Sequence, residues 1–368
     1  MKKIKVVCSI GTRPEAIKMA PVILSLKKER WCHLLVLATA QHREMLDQVL
    51  RFFHIKIGAD LNVMQSNQTL TGLTRRLLLR LDRFIEDESP NLILAQGDTT
   101  TTFLTALSSF YNRIPFGHIE AGLRTHNKFF PFPEEMNRAL TTRLADFHFA
   151  PTKEARKNLL SEGIPPDRIW VTGNTVIDAL LLMGKRRIKL PFPRDPSLRL
   201  VLVTAHRREN FGSPLVEICQ ALKGIASRLP DIEVVYPVHP NPNIHNVVHR
   251  ELGGVDRIRL APPLDYGPFV ATMKASTLIL TDSGGIQEEA TALGKPVLLL
   301  RDETERPEAI EAGIVKVVGP HAKSIIKEAF SLLSNQEENR KTAKSVSPYG
   351  DGRAAGRISF ILRKRFGS

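Results

Sequence analysis

Short apolar runs rich in leucine and β-branched residues alternate with helix-favouring stretches along nearly the whole chain. No other feature restricts the fold as much. The first series is IKVVCSI (4–10), HLLVLAT (33–39), NLILAQ (91–96), IPFGHIE (114–120), DFHFAP (146–151) and IWVTG (169–173). After the proline-rich LPFPRDPSLR the pattern resumes with LVLVTAH (200–206), IEVVYPVH (232–239), TLILTDS (277–283), PVLLLRD (296–302) and IVKVVG (314–319). Strands that alternate with helices form βαβ units and parallel sheets. The expectation is an α/β protein of two Rossmann-like, doubly wound parallel-sheet domains. A helix over 175–186 and the proline-rich 190–196 carry the chain between them, which puts the N-terminal domain at 1–185 and the C-terminal domain at 186–349. A last helix, over about 352–365, follows SPYGDG within the segment 350–368 and fits either domain.

A length of 368 residues with 42% apolar content exceeds one ordinary core. There is no run of eighteen apolar residues and no small-residue cleavage pattern after the basic start, so a soluble cytoplasmic protein without a membrane partner is expected. Cys8, Cys32 and Cys219 are widely spaced and odd in number, which suits reduced packing residues rather than disulfides or a metal site. The formal charge of +14 raises the possibility of a polyanion-binding module, whose affinity for DNA or RNA would depend steeply on salt. The basic residues are spread along the chain, however, with small clusters at RRLLLRLDR, GKRRIK and RKRF. Most of them read as a solvated surface, with a few aimed at an anionic small molecule and no nucleic-acid partner.

Open parallel sheets bind ligands beyond the carboxyl ends of their strands. Ionisable residues gather there in this sequence. Strand 4–10 leads into Gly11, Thr12 and Arg13; strand 91–96 into Gly97, Asp98 and four threonines; strand 114–120 into Glu120 and Arg124. In the second half, strands lead into His206 and Arg207, into His239, and into Ser283, Gly284 and Gly285. The expected site is the cleft formed where these edges face each other.

Arg13, His206, Arg207, the Ser283 hydroxyl and the Gly284–Gly285 turn supply donors and cations suited to a diphosphate. The glycine pair has two readings: a turn needing positive φ or close packing, or a helix start whose N–H groups face an anion. His206 reads either as a satisfied core histidine or as a ligand contact. Glu288 is expected to favour the macrodipole of its helix, and Glu289 to accept ribose hydroxyls. There is no G-x-G-x-x-G after the first strand, no P-loop and no clustered Cys/His set. A nucleotide carried by a sugar fits better than a redox cofactor or a hydrolysed triphosphate. Asp98, Glu120 and Glu134 supply carboxylates for proton transfer, although Asp98 also suits an N-cap and Glu134 with Glu135 suits any helix start.

Taken together, GTRPEAIKMAP, QHREMLDQVL, GDTTTT, EAGLRT, PFPEEMNR, TGNTVIDALL, AHRREN, LTDSGGIQEEA and RDETERPEA resemble the non-hydrolysing UDP-N-acetylglucosamine 2-epimerases, from residue 4 to about 318. The resemblance implies a glycosyltransferase-B-like architecture, a homodimer, and interconversion of UDP-GlcNAc and UDP-ManNAc without NAD or metal. The implied route expels UDP to give 2-acetamidoglucal and then re-adds it. By the same resemblance Asp98, Glu120 and Glu134 become the acid and base groups. His206, Arg13, Ser283, Gly284 and Gly285 serve the diphosphate, Glu289 the ribose and Phe269 the uracil, while Lys18, Arg138 and Arg306 orient charges. A second UDP-GlcNAc acting as activator would meet Gln41, Arg207 and His239, beside Glu44 and Asn67, which depart from the family pattern. Gln96 stands where histidine is usual and is expected to act on Asp98; Thr291 and Pro240 are further departures. Alternatives are a UDP-sugar glycosyltransferase of the same fold and an epimerase for a related UDP-2-acetamido sugar.

Overall fold

The computed structural model describes residues 3–39, 43–65, 68–186, 188–304, 306–334 and 347–367. The chain divides into two compact units, Met1–Leu181 with Tyr349–Ser368, and Leu182–Pro348. The linker helix, Thr175–Gly184, spans the division, which falls at 181/182 rather than 185. The helix Ala354–Phe366 belongs with the first unit: Asp178 accepts hydrogen bonds from the amides of Ala354 and Ala355 at 3.1 and 2.9 Å, and Ile358 and Leu362 are fully buried. No helix among the described residues is long and apolar enough to cross a membrane.

The sheet of the first unit contains β1 (Ile4–Ile10), β2 (Cys32–Ala38), β3 (Ala59–Asp60), β4 (Leu92–Gln96), β5 (Phe116–Ile119), β6 (Phe147–Ala150) and β7 (Ile169–Val171). All pairings are parallel, in the order β3-β2-β1-β4-β5-β6-β7. β1 and β4 are fully buried along most of their length, as strands covered by helices on both faces must be. The helix Leu70–Glu88 shows how the covering layer is specified. Leu73, Leu77 and Leu81 recur every fourth residue and are buried, each contributing about 1.5–3 kcal/mol. Thr69 caps this helix by accepting from the Gly72 amide at 3.1 Å, and Ser89 ends it in the left-handed region at φ 42°.

The second unit carries β8 (Arg199–Thr204), β9 (Ile232–Pro237), β10 (Ile258–Ala261), β11 (Ser276–Thr281), β12 (Val297–Leu299) and β13 (Val315–Val317). They are again parallel, in the order β10-β9-β8-β11-β12-β13. The helix Ser213–Arg228 places Leu215, Ile218, Leu222 and Ile225 in the core beside Val201, Val203 and Val234. In both sheets the strand order reverses at one crevice, between β1 and β4 in the first unit and between β8 and β11 in the second. Ligands of doubly wound sheets enter at such switch points.

All three cysteines are free and buried, and burial pushes the thiols of Cys32 and Cys219 up to about 12. They are packing residues, inert as nucleophiles.

Candidate active site

In the first unit the loops after β1, β4 and β5 converge with the helix Glu134–Leu144. Gly97 ends β4 at φ +84°, a turn that favours glycine, and brings Asp98 to the strand edge. The helix that follows, Thr100–Tyr111, is capped by Thr99, whose hydroxyl accepts from the Thr102 amide at 3.2 Å. Asp98 is therefore not the cap that its position suggested, and its carboxylate is available for other work. Arg138 Nη2 donates to Asp98 Oδ2 at 2.6 Å, and Asn137 Nδ2 donates to the Asp98 carbonyl at 2.9 Å. His118, wholly buried, lies with Nε2 at 2.7 Å from the Gly97 carbonyl. Burial, acting against that hydrogen bond, lowers its pKa to about 3, so the ring is neutral and Nε2–H donates. Three donors thus fix the Asp98 loop from below.

Glu120 follows β5 with φ +66°, a left-handed conformation uncommon for glutamate and concentrated at functional positions. Lys18 Nζ, from the helix Arg13–Leu26, meets both of its oxygens at 2.7 and 2.5 Å. Gln96 Nε2 donates to Glu120 Oε2 at 2.8 Å. The expectation that Gln96 acts on Asp98 is corrected: residues i and i+2 share a face only while a strand continues. The positive φ of Gly97 turns the chain after Gln96, and the Gln96 amide reaches Glu120, which follows its register partner Ile119 of β5. Glu134 opens its helix half-buried, while the next residue, Glu135, is buried and accepts from the Thr125 and His126 amides at 3.0 Å. Glu135 also lies 3.4 Å from Arg138, so one guanidinium serves Glu135 and Asp98 together. Arg13 stands half-buried at the first position of its helix, behind the N-cap Thr12.

Glu15 escaped the sequence reading as a site-building residue, although T-x-x-E after a strand is a capping-box signature. Its Oε2 accepts from the Gly11 and Thr12 amides at 2.9 and 2.6 Å, and its Oε1 from the Thr99 and Thr102 hydroxyls at 2.6 and 3.1 Å. One buried carboxylate joins the two loops of the β1/β4 crevice.

Asp282 occupies the corresponding place in the second unit and was likewise passed over, beside the more conspicuous glycines. Its Oδ2 accepts from the His206 and Arg207 amides at 2.7 and 2.8 Å and from Asn210 Nδ2 at 3.0 Å. His206 follows β8 as a half-exposed ring. Burial lowers its pKa, the Asp282 charge opposes that effect, and Arg207 and His239 reinforce it. The rings of His206 and His239 stack at 5.8 Å. His239 itself is exposed, with Nδ1 accepting from the Asn241 amide at 3.1 Å. Gln41 and Asn67 lie outside the described residues.

Ser283 is the N-cap of the helix Gly284–Ala292 but makes no side-chain capping bond. The amides of Gly284, Gly285 and Ile286 open the helix, where no carbonyl of a preceding turn can receive them. Neither glycine has positive φ, and a Cβ built on Gly285 would meet nothing within 4 Å. Turn geometry does not account for the pair, nor does packing at Gly285. Further along, Glu289 Oε1 accepts from the Tyr266 hydroxyl at 2.7 Å, which orients the carboxylate. Glu288 does not serve the macrodipole as expected. It lies past the first turn, buried, with Arg306 Nε at 2.6 Å, so this arginine is engaged by the helix. Phe269 is half-buried in the helix Tyr266–Ala275, and its amide donates to the Asp265 carbonyl at 2.9 Å.

Two Rossmann-type units, one presenting ion-paired carboxylates and the other an open helix start beside a histidine, define a nucleotide-sugar enzyme of the glycosyltransferase-B-like class. The fold is shared with a kitacinnamycin glycotransferase that is 11% identical, with TM-score 0.69 over the whole of both chains. The chain belongs to the UDP-N-acetylglucosamine 2-epimerase family of isomerases, whose sequence model matches residues 24–363. It is 50% identical to the UDP-N-acetylglucosamine 2-epimerase of Escherichia coli K12, covering 98% of each chain. It is also 50% identical to that of Bacillus subtilis, over 100% of this chain and 97% of the other. A crystal structure of the Neisseria meningitidis enzyme bound to UDP-GlcNAc is 48% identical, with TM-score 0.92 over 98% of this chain and 100% of that one.

Proposed function

We propose that the protein interconverts UDP-GlcNAc and UDP-ManNAc by eliminating UDP and adding it back. The observation that carries this reading is the pair of carboxylates at neighbouring strand ends, Asp98 and Glu120, each held by its own cation. The hydrogen at C2 is not acidic, since no carbonyl adjoins it in the ring, and direct exchange would meet a prohibitive barrier. Breaking the C1–O bond sends its electron pair to the β-phosphate of UDP, while a carboxylate takes the C2 proton and leaves 2-acetamidoglucal. Returning a proton to the opposite face of C2, with UDP re-adding at C1, gives the epimer. Asp98, Glu120 and Glu134 are the proton-transfer groups. Arg13, His206, Ser283 and the amides of Gly284 and Gly285 stabilise the departing diphosphate. Lys18, Arg138 and Arg306 orient carboxylates, Phe269 lies against uracil and Glu289 holds the ribose. A homodimer, and an activating second UDP-GlcNAc at Arg207 and His239, belong to the same reading.

The test is to incubate the protein with UDP-GlcNAc in D2O, with EDTA and without NAD, and to follow H1 and H2 by NMR. UDP-ManNAc carrying deuterium at C2 is the expected product. No exchange, with other UDP-HexNAc sugars also supplied, overturns the proposal and favours a glycosyltransferase that needs an acceptor.

The ribose assignment has its own check. Tyr266→Phe removes the donor that aims Glu289, and UDP affinity measured by calorimetry is expected to fall roughly tenfold, as for a hydrogen bond to a charged group. Unchanged affinity would remove Glu289 from the ribose.

A further inference from the structure

The carboxylate of Asp282 is divided between two tasks, and only one of them is complete. Oδ2 holds the loop after β8 through the His206 and Arg207 amides and the Asn210 side chain. Oδ1 is also buried, yet it accepts no hydrogen bond among the described residues. It lies 3.5 Å from Nδ1 of His206. A buried carboxylate oxygen left without a donor is costly, and a donor nitrogen just beyond bonding distance identifies its partner.

We propose that Asp282 is a positioning residue for His206: its Oδ1 accepts the Nδ1 proton, and so fixes Nε2 as the ring nitrogen presented to the diphosphate. This rests on the reading of His206 as a leaving-group contact. With Nδ1–H directed at Asp282, a second proton on Nε2 gives an imidazolium that donates to the β-phosphate oxygen as C1–O breaks and that oxygen gains the electron pair. The buried negative charge stabilises the imidazolium where desolvation disfavours it. The charged and titratable groups facing the pair are Arg207, which continues the same loop, His239 beyond β9, and the buried phenol of Tyr236 in β9, which donates to the Ala205 carbonyl at 2.9 Å. Arg207 and His239 oppose a second proton on His206, and Asp282 is the group that favours it.

The experiment is 15N NMR of histidine-labelled protein across pH, with His206 assigned by its loss in His206→Gln. In the wild type, Nδ1 is expected to remain protonated at every pH and Nε2 to titrate. A neutral wild-type form protonated on Nε2, the common tautomer of free histidine, overturns the proposal. Asp282→Asn keeps an oxygen for the two loop amides but turns an NH2 toward Nδ1. The tautomer is then expected to reverse, His206 to titrate at lower pH, and the alkaline limb of turnover to move the same way. Turnover should fall about tenfold, as when a charged donor is replaced by a neutral one. Asn210→Ala removes a loop contact and leaves Oδ1 alone, so the His206 tautomer should persist. If Asp282→Asn folds with an unchanged His206 titration, Asp282 holds the loop only. The NMR outcome is independent of substrate, so failure of the epimerase reading would appear separately, as absent exchange in the wild type.

Discussion

Asp98→Asn is expected to lower turnover by about 10³-fold while UDP affinity stays within a few-fold, the signature of a lost proton transfer and not of lost binding. The structure makes this substitution clean. Thr99, not Asp98, caps the following helix. The loop is held through main-chain carbonyls, Gly97 by His118 and Asp98 by Asn137, and neither bond involves the carboxylate. Asparagine keeps an oxygen for Arg138 Nη2, which now donates at 2.6 Å, and Glu135 remains 3.4 Å from the same guanidinium. What disappears is the ability to take or give a proton. The checks are kcat by NMR of the UDP-sugar anomeric signals and UDP affinity by calorimetry. Activity surviving within a few-fold would remove Asp98 from proton transfer, and Glu120 and Glu134 would be left to account for it.

The second large effect concerns stability. Glu15→Ala leaves the Gly11 and Thr12 amides and the Thr99 hydroxyl of the β1/β4 crevice without their acceptor, an expected loss of about 3–5 kcal/mol by chemical unfolding. Glu15→Gln should behave differently. Its oxygen can face the Gly11 and Thr12 amides while its NH2 faces Thr99 and Thr102, whose hydroxyls rotate to accept. Thr102 already has another acceptor for its own proton, the Gln96 carbonyl at 2.8 Å. Burial is the largest influence on Glu15 and raises its pKa against the four donors that lower it. The folded protein therefore keeps this proton to higher pH than the unfolded chain. The stability so gained is complete below the ordinary carboxylate pKa and is lost as pH rises through the folded value. Wild type should accordingly lose ground to Glu15→Gln across that window and run parallel to it above. Parallel curves throughout would mean that Glu15 titrates alike in both states.

The strands that could be read from the sequence carry apolar or β-branched runs, continuous where burial is deepest, as in IKVVCSI and LVLVT, and still present at the edges β7 and β13 in IWVTG and IVKVVG. The two that were not anticipated, β3 (Ala59–Asp60) and β10 (Ile258–Ala261), are the edge strands beyond β2 and β9. An edge strand buries less, and arginine and partly exposed positions interrupt β10. The site divides in a similar way. Asp98, Glu120, His206 and Gly284 stand where ionisable or permissive residues follow apolar runs, so position alone marks them. Their partners are distant in sequence. Glu15 meets Thr99 and Thr102, Asp282 meets His206 and Asn210, and Gln96 meets Glu120, pairings that exist only once strand order is fixed. Glu288 was misread for a related reason: its buried partner, Arg306, follows in the next βα loop rather than in its own helix.

The return of Ala354–Phe366 to the first unit reverses the order in which the chain can be completed during synthesis. Leu182–Pro348 is one uninterrupted stretch, and every residue of that unit has been made once Pro348 is added. The first unit begins earlier and is finished later. Until Ala354 and Ala355 are added, Asp178 lacks the two amides from which it accepts in the folded unit. Two stretches of chain made at different times thus meet at Asp178 in the unit that bears Asp98 and Glu120.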